Sequence, residues 1–291
     1  MAKLTVREFF KRFPDDDACL KHVMDVRYGL RHTCRKCDVV DATFHKLESR
    51  RAYSCAHCGD HVYPCAGTIF EDSRTPLTLW FYAIFLFVTT RHGVSGKELE
   101  RQLGVTYKTA WRMGQQIRTL MTSAEEFVAL KGHVEVDEHW HGGRISRRDG
   151  NPRDNKTMIV GLKERGGPIV TEVVPDTTTA SLRRAVLMNV QPKTTISIDE
   201  HSGYALLKGA DYTHGTVTHS KEEWVKRDPE TGVLHHVNHV ESFWRLFKWS
   251  VRSTHIHVSA KYMDRYLGEF TFRQNHRQMQ NAMFDLLIGA V

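Results

Sequence analysis

The chain has no cysteine after Cys65 and no apolar run long enough to cross a bilayer. Its longest such run, residues 77–88, is 12 residues and broken only by Thr78, so it reads as a buried helix. The first thirteen residues are charged and amphipathic, without the apolar centre or small-residue cleavage site of a secretory leader. No internal repeat, low-complexity tract or heptad pattern is visible. These absences point to a soluble, cytoplasmic, globular protein with no membrane partner. At 291 residues, about two domains are expected at roughly 150 residues each. Hydrophobic residues at 41% and charged residues at 26% exclude wholesale disorder.

The charge balance is +7, from 41 Lys and Arg against 34 Asp and Glu. Residues 1–131 carry +5, residues 132–237 carry −1 and residues 238–291 carry +3. Basic flanks around a slightly acidic middle suit a protein that grips nucleic acid around an acidic site.

All six cysteines are Cys19, Cys34, Cys37, Cys55, Cys58 and Cys65. Four of them form C-x2-C-x17-C-x2-C over Cys34, Cys37, Cys55 and Cys58, the spacing of a zinc ribbon. Each pair points two thiolates at one place, and two pairs close a tetrahedral shell. Four thiolates leave no open position, so the expected zinc is structural. A cytoplasmic setting disfavours disulfides. Cys19, Cys65, His57 and His61 are spare and read as bystanders, with Cys65 and His57 as alternative ligands.

Residues 5–30 read as one or two short helices broken at Pro14, and residues 31–70 as the ribbon. After the apolar helix come a helix over 95–103, a turn at Gly104-Val105, an N-cap at Thr106 and a helix over 107–121. Two short helices around a glycine turn make a helix-turn-helix, whose second helix would present Tyr107, Lys108 and Arg112 to DNA. From residue 132 the texture changes to strands near 132–139, 157–163, 168–174, 194–199 and 212–219. Helices are expected near 180–188, 202–209 and 238–251, and the stretch 226–232 reads as an exposed loop. The order β-β-β-α-β-α-β-α matches an RNase H-like α/β fold. The expected domains are thus 1–70, 71–131 and 132–291.

Asp137 is expected to close the first of these strands and Asp199 the fourth, with the two strands side by side. Glu241, at the start of the last helix, would supply a third carboxylate, and Lys248 lies two turns further on nearly the same face. Three oxygen ligands at one point suit Mg²⁺ or Mn²⁺. Two such ions about 4 Å apart serve in-line phosphoryl displacement. Glu135 shares Asp137's face, Glu138 and Glu200 are adjacent, and Asn238 rivals Glu241, so the ligand within each cluster stays open. His139, His141, His235, His236 and His239 read as polar residues near DNA. Arg144, Arg147, Arg148, Arg153 and Lys156 are candidate DNA contacts.

The ribbon, the helix pair, Val136-Asp-Glu-x-x-x-Gly-Gly143, Ile198-Asp-Glu-His-Ser-Gly-Tyr204 and Asn238-x-x-Glu-Ser-x-Trp-x-x-x-Lys248 together resemble bacterial insertion-sequence transposases of the zinc-ribbon DDE group, ISXO-like. The tail Tyr266-Leu-x-Glu-Phe-x-Phe-Arg-x-Asn-x-Arg277 is similar to theirs as well. The resemblance implies an RNase H-like core, a divalent-metal triad, and DNA cleavage with strand transfer. Carried over by position, the triad falls on Asp137, Asp199 and Glu241, with Lys248 beside it. The group varies at its third position, which keeps Asn238 as the alternative. It also implies double-stranded partners, the element's terminal inverted repeats and target DNA, and a homodimer or larger assembly on the nucleoid. Two other readings compete: a domesticated, non-catalytic DNA-binding regulator, and an RNase H-like nuclease without strand transfer. Inverted repeats flanking the gene would favour transposition over both.

Overall fold

A computed structural model describes residues 4–143, 155–200, 211–279 and 282–291 of the chain. They form a mixed α/β protein of two compact units, Met1–Ala124 with Gln278–Val291, and Glu125–Arg277. Among the described residues no helix is long and apolar enough to cross a membrane.

In the first unit, α1 (Val6–Arg12) opens with a capping box between Thr5 and Glu8 and ends before Pro14. Helix α2 (Asp16–Arg27) is capped by Asp15. Strands β1 (Arg31–His32), β2 (Ala42–Lys46), β3 (Tyr53–Cys55) and β4 (His61–Val62) pair antiparallel in that order. Helix α3 (Leu77–Thr89) is the apolar run seen in the sequence, with Trp80, Phe81, Ile84 and Phe87 fully buried. Asp16 ties the start of this helix to α2 by accepting from the Thr78 backbone N–H at 2.9 Å and hydroxyl at 3.0 Å. Helix α4 (Gly96–Leu103) stops at Gly104, whose φ of 65° is the left-handed cap that glycine adopts without strain. Thr106 then caps α5 (Tyr107–Ser123).

The second unit is built on a five-stranded sheet. Its strands are β5 (His133–His141), β6 (Thr157–Glu164), β7 (Ile169–Val174), β8 (Thr195–Ile198) and β9 (Thr213–Thr216), in the spatial order β7-β6-β5-β8-β9. The first three pair antiparallel, while β8 lies parallel to both β5 and β9. Helix α6 (Thr179–Asn189) covers one face, packing Leu182, Ala185 and Val186 on Val134, Val136, Val160 and Leu162. A short hairpin, β10 (Lys226–Arg227) and β11 (Leu234–His235), leads into α7 (Asn238–Ser250). Val240, Phe243, Trp244 and Phe247 of α7 cover the other face with α8 (Met263–Asn275).

Four expectations from the sequence change here. Strand β5 runs on to His141, so Asp137 lies inside it and not at its end. The stretch 226–232 forms most of a hairpin whose turn is held by Asp228, which accepts from Glu230 and Thr231 backbone N–H groups at 3.0 and 2.7 Å. Helix α7 is not the last, since α8 and α9 (Met283–Gly289) follow. The last stretch, read as the end of the sheet region, clusters with the first unit instead. The reason is apolar packing: Phe284 of α9 meets Phe9, Phe13 and Phe81 at centroid distances of 5.9, 5.5 and 5.9 Å. The expected helix 202–209 falls outside the described residues.

Gly161 on β6 lets α7 come down onto the sheet. A Cβ there would sit 2.6 Å from Trp244 Cζ2 and 3.0 Å from Val240 Cγ2. Gly161→Ala is therefore expected to push α7 outward and cost about 1–3 kcal/mol, typical of overpacking. Chemical denaturation would read this as a lower midpoint, and an unchanged midpoint would mean the helix has room to spare.

Candidate metal centre and active site

Two tight turns build the first site. Cys34 and Cys37 lie on the turn after β1, Cys55 ends β3 and Cys58 lies on the turn before β4. Gly59, at φ 72°, completes the second turn in a conformation that side chains rarely adopt. The four sulfurs all lie within 4.8 Å of one another. Cys34 and Cys58 Sγ are 3.6 Å apart, and Cys37 and Cys55 Sγ are 4.0 Å apart. A tetrahedron with zinc–sulfur bonds of about 2.3 Å has edges of about 3.8 Å. All six cysteines are free thiols and not disulfides. The Cys37 and Lys36 backbone N–H groups hold the Cys34 thiol down to about 7, favouring the thiolate that a metal needs. The residues fit one structural zinc. Cys19 and Cys65 lie outside this cluster, and burial pushes both thiols up, Cys19 to about 12.

The second site lies on the sheet face that carries α7. Register places Asp137 and Asp199 level. Glu135 of β5 is the partner of Ser197 in parallel β8, and each aspartate stands two residues further along. Burial first, then the charges of Asp199, Glu138 and Glu241, push the Asp137 carboxyl up to about 8. Asp137 Oδ1 accepts the Glu138 backbone N–H at 2.9 Å. Glu241, in the first turn of α7, has His219 Nδ1 3.8 Å from its Oε1. The three carboxylates therefore share one patch of negative charge, but they do not all close to within 4.8 Å as the four sulfurs do. Such a patch is the donor chemistry of a hard divalent cation.

Lys248 is exposed on α7, and its charge helps hold His139 down to about 3, second to burial. Asn238 is the exposed first residue of α7. His139 is not a polar residue facing DNA: its ring lies against Trp244 at 5.3 Å and near Phe247 at 6.1 Å. His141 packs near Phe247 at 5.8 Å, with burial holding it below the usual imidazole range. Tyr107, Lys108 and Arg112 are exposed on the first turns of α5, where Lys97 Nζ lies 4.8 Å from the Tyr107 ring. Arg144, Arg147, Arg148 and Arg153 fall outside the described residues, whereas Lys156 is half-buried just before β6.

Glu135, an open alternative in the sequence, is fully buried and spoken for. Its Oε1 accepts from Arg165 Nε at 2.8 Å and His239 Nδ1 at 2.7 Å. Its Oε2 accepts from the His239 and Val240 backbone N–H groups at 2.8 and 3.3 Å. His236 Nδ1 lies 3.1 Å from Oε1 but forms no hydrogen bond. Glu135, His236 and His239 stand close enough to hold a metal. The guanidinium on the same oxygen fills that position with positive charge, so this cluster is an ion pair and not a metal site. Sequence reasoning missed two further residues, His219 beside Glu241 and Trp224, which stacks on His219 at 4.7 Å. Both come from an irregular stretch without a periodic signal.

Two family models match parts of the chain. Residues 129–275 match the ISXO2-like transposase domain, and residues 14–61 match the transposase zinc-ribbon domain. The chain is also 27% identical over 263 residues to a Halobacterium salinarum protein described as "Uncharacterized protein in transposable element ISH50". That match covers 83% of this chain and 84% of the relative.

Proposed function

The chain belongs to the ISXO2-like transposase family, and from that premise we propose that it cuts and joins DNA at the ends of an insertion element. The reading has residues up to 131 bind the terminal inverted repeats through the ribbon and a helix-turn-helix. The sheet unit, read as an RNase H-like core, then performs the chemistry with Asp137, Asp199 and Glu241. One observation carries this most: the β5–β8 register sets Asp137 and Asp199 side by side on the sheet face that α7, the helix of Glu241, covers. The sheet order and the parallel β5–β8 pair support the same view.

Divalent Mg²⁺ or Mn²⁺ bound there would supply Lewis acidity to the attacking and leaving oxygens. The chain's own part is to hold the three carboxylates from a strand interior, a strand end and a helix start. Lys248, two turns along α7 from Glu241, offers a point charge to a phosphate. Glu241 is favoured over Asn238 because a charged carboxylate holds a hard divalent cation more strongly than a neutral amide oxygen does. Joining two ends calls for at least two copies on the DNA. A duplex ending in the element's terminal repeat, given Mg²⁺ and a plasmid target, should yield a free 3′-OH and then joined product. Cleavage without joining would reduce the reading to a nuclease, and neither product would overturn it.

Lys108 and Arg112 are the proposed phosphate contacts. The double substitution Lys108→Ala with Arg112→Ala should weaken binding to repeat ends. It should also flatten the dependence of log affinity on log salt by about 2, roughly one per lost phosphate contact. An unchanged salt slope in gel shifts would remove α5 from the DNA interface.

A further inference from the structure

Each of the three elements that carry a carboxylate also carries a polar group two residues earlier, buried on the two strands and exposed on the helix. These are Glu135 before Asp137, Ser197 before Asp199, and His239 before Glu241. The three groups belong to one hydrogen-bonded network. Glu135 accepts from the His239 ring and from two backbone N–H groups in the first turn of α7, which has no side-chain cap of its own. Arg165 Nε donates to Glu135, and its Nη atoms donate to the Leu234 and His236 carbonyls at 2.7 and 3.1 Å, fixing the chain that enters α7. Arg165 Nη1 also lies 3.2 Å from His133 Nδ1, and His133 Nε2 lies 2.7 Å from Ser197 Oγ. Ser197 Oγ in turn lies 2.9 Å from His235 Nδ1.

The donors and acceptors run in one direction. Arg165 donates to His133 Nδ1, so His133 carries its proton on Nε2 and donates to Ser197. The Ser197 hydroxyl is then left to donate to His235. Gly215 of β9 leaves room for the end of this chain, since a Cβ there would collide with the His235 ring.

The geometry points to Glu135, Arg165 and Ser197 as positioning residues that set the spacing of Asp137, Asp199 and Glu241 and thereby tune the site toward Mg²⁺. This rests on the reading of those three carboxylates as metal ligands. Mg²⁺ demands near-ideal octahedral geometry, whereas Ca²⁺ accepts flexible arrangements. A carboxylate set held by a rigid frame favours the first, and a loosened set forfeits that preference. Outer partners that orient ligands are commonly worth about 10–100-fold in metal affinity.

The test uses the full, zinc-loaded chain without DNA. Mn²⁺ binding is read from the loss of its free EPR signal, and Mg²⁺ or Ca²⁺ is then titrated in to displace it. Glu135→Gln should lower the preference for Mg²⁺ over Ca²⁺ about tenfold, and Ser197→Ala should lower it less, about threefold. Asp137→Asn should lose the displaceable Mn²⁺ altogether. A residue that only supports folding would weaken both ions alike and leave the ratio unmoved. If Asp137→Asn loses Mn²⁺ while both other variants keep the wild-type ratio, the positioning role is overturned and the carboxylate reading stands. Wild-type Mn²⁺ binding in Asp137→Asn would overturn the carboxylate reading and this inference with it. Should Glu135→Gln fail to fold, Ser197→Ala decides alone.

Discussion

Asp137→Asn, Asp199→Asn and Glu241→Gln should each reduce Mg²⁺-dependent cleavage of repeat-ended duplex by about 10³-fold or more, the scale of several kcal/mol of charge stabilisation. An amide offers a neutral, weaker oxygen, and three shared ligands leave no substitute. Affinity for the repeat itself should stay near wild type, since the exposed cations of α5 belong to the other compact unit. Asn238→Ala is the control. If it is dead while Glu241→Gln cuts normally, the third ligand is Asn238. The raised Asp137 carboxyl adds a pH signature. Its carboxyl holds a proton up to about 8 in the folded, metal-free chain, against about 4 when unfolded. Below about pH 8 protons compete with the metal, so the Mg²⁺ needed for half-maximal cleavage should rise as pH falls from 8 to 6. The sign for stability is the reverse of a salt-bridged aspartate: the metal-free chain loses stability as pH rises from about 4 to about 8, and bound Mg²⁺ restores it.

Removing the zinc should have the second large effect. Strands β1 and β4 have two residues each, and the four thiolates close the loops between them. So little sheet cannot hold itself together, and metal binding there is folding free energy, on the order of 10 kcal/mol for small zinc modules. Strong chelation, or Cys37→Ser, should unfold residues 31–62 and abolish repeat binding, while the sheet unit keeps its far-ultraviolet signal. Cys19→Ala should leave zinc content at one per chain. Elemental analysis that finds no zinc in chelator-free protein would sink the assignment.

How much of this was legible in the sequence depended on range. The four cysteines were readable because each pair is local and its spacing carries the geometry. The cap at Thr106 and the turn at Gly104 were readable for the same reason. The levelled aspartates were accessible only through an assumed strand order, which the β5–β8 register now supplies directly. The role of Glu135 was not accessible. Alternation puts Glu135 and Asp137 on one face, and only the arrival of α7 over Glu135 separates an engaged carboxylate from its neighbour. The hairpin at 226–235 escaped because two-residue strands leave no alternation to read. The partner of α9 escaped because an apolar helical stripe does not say which apolar surface it meets, here Phe9, Phe13 and Phe81 far back in the chain.

That return of α9 governs the order in which the protein can be made. The first unit leaves off at Ala124 and resumes at Gln278, so the whole sheet unit is an insertion within it. On the ribosome, the aromatic cluster around Phe9, Phe13 and Phe81 waits for Phe284. At translation speeds of about 5–20 residues per second, that wait is about ten to forty seconds. The sheet unit can close first, while the half that carries the ribbon still exposes apolar rings. A fragment cut before residue 278 would keep every proposed DNA contact on α5 and still lack the helix that seals its core. Boundaries for a minimal DNA-binding fragment should therefore follow the packing of Phe284 and not the order of the residues along the chain.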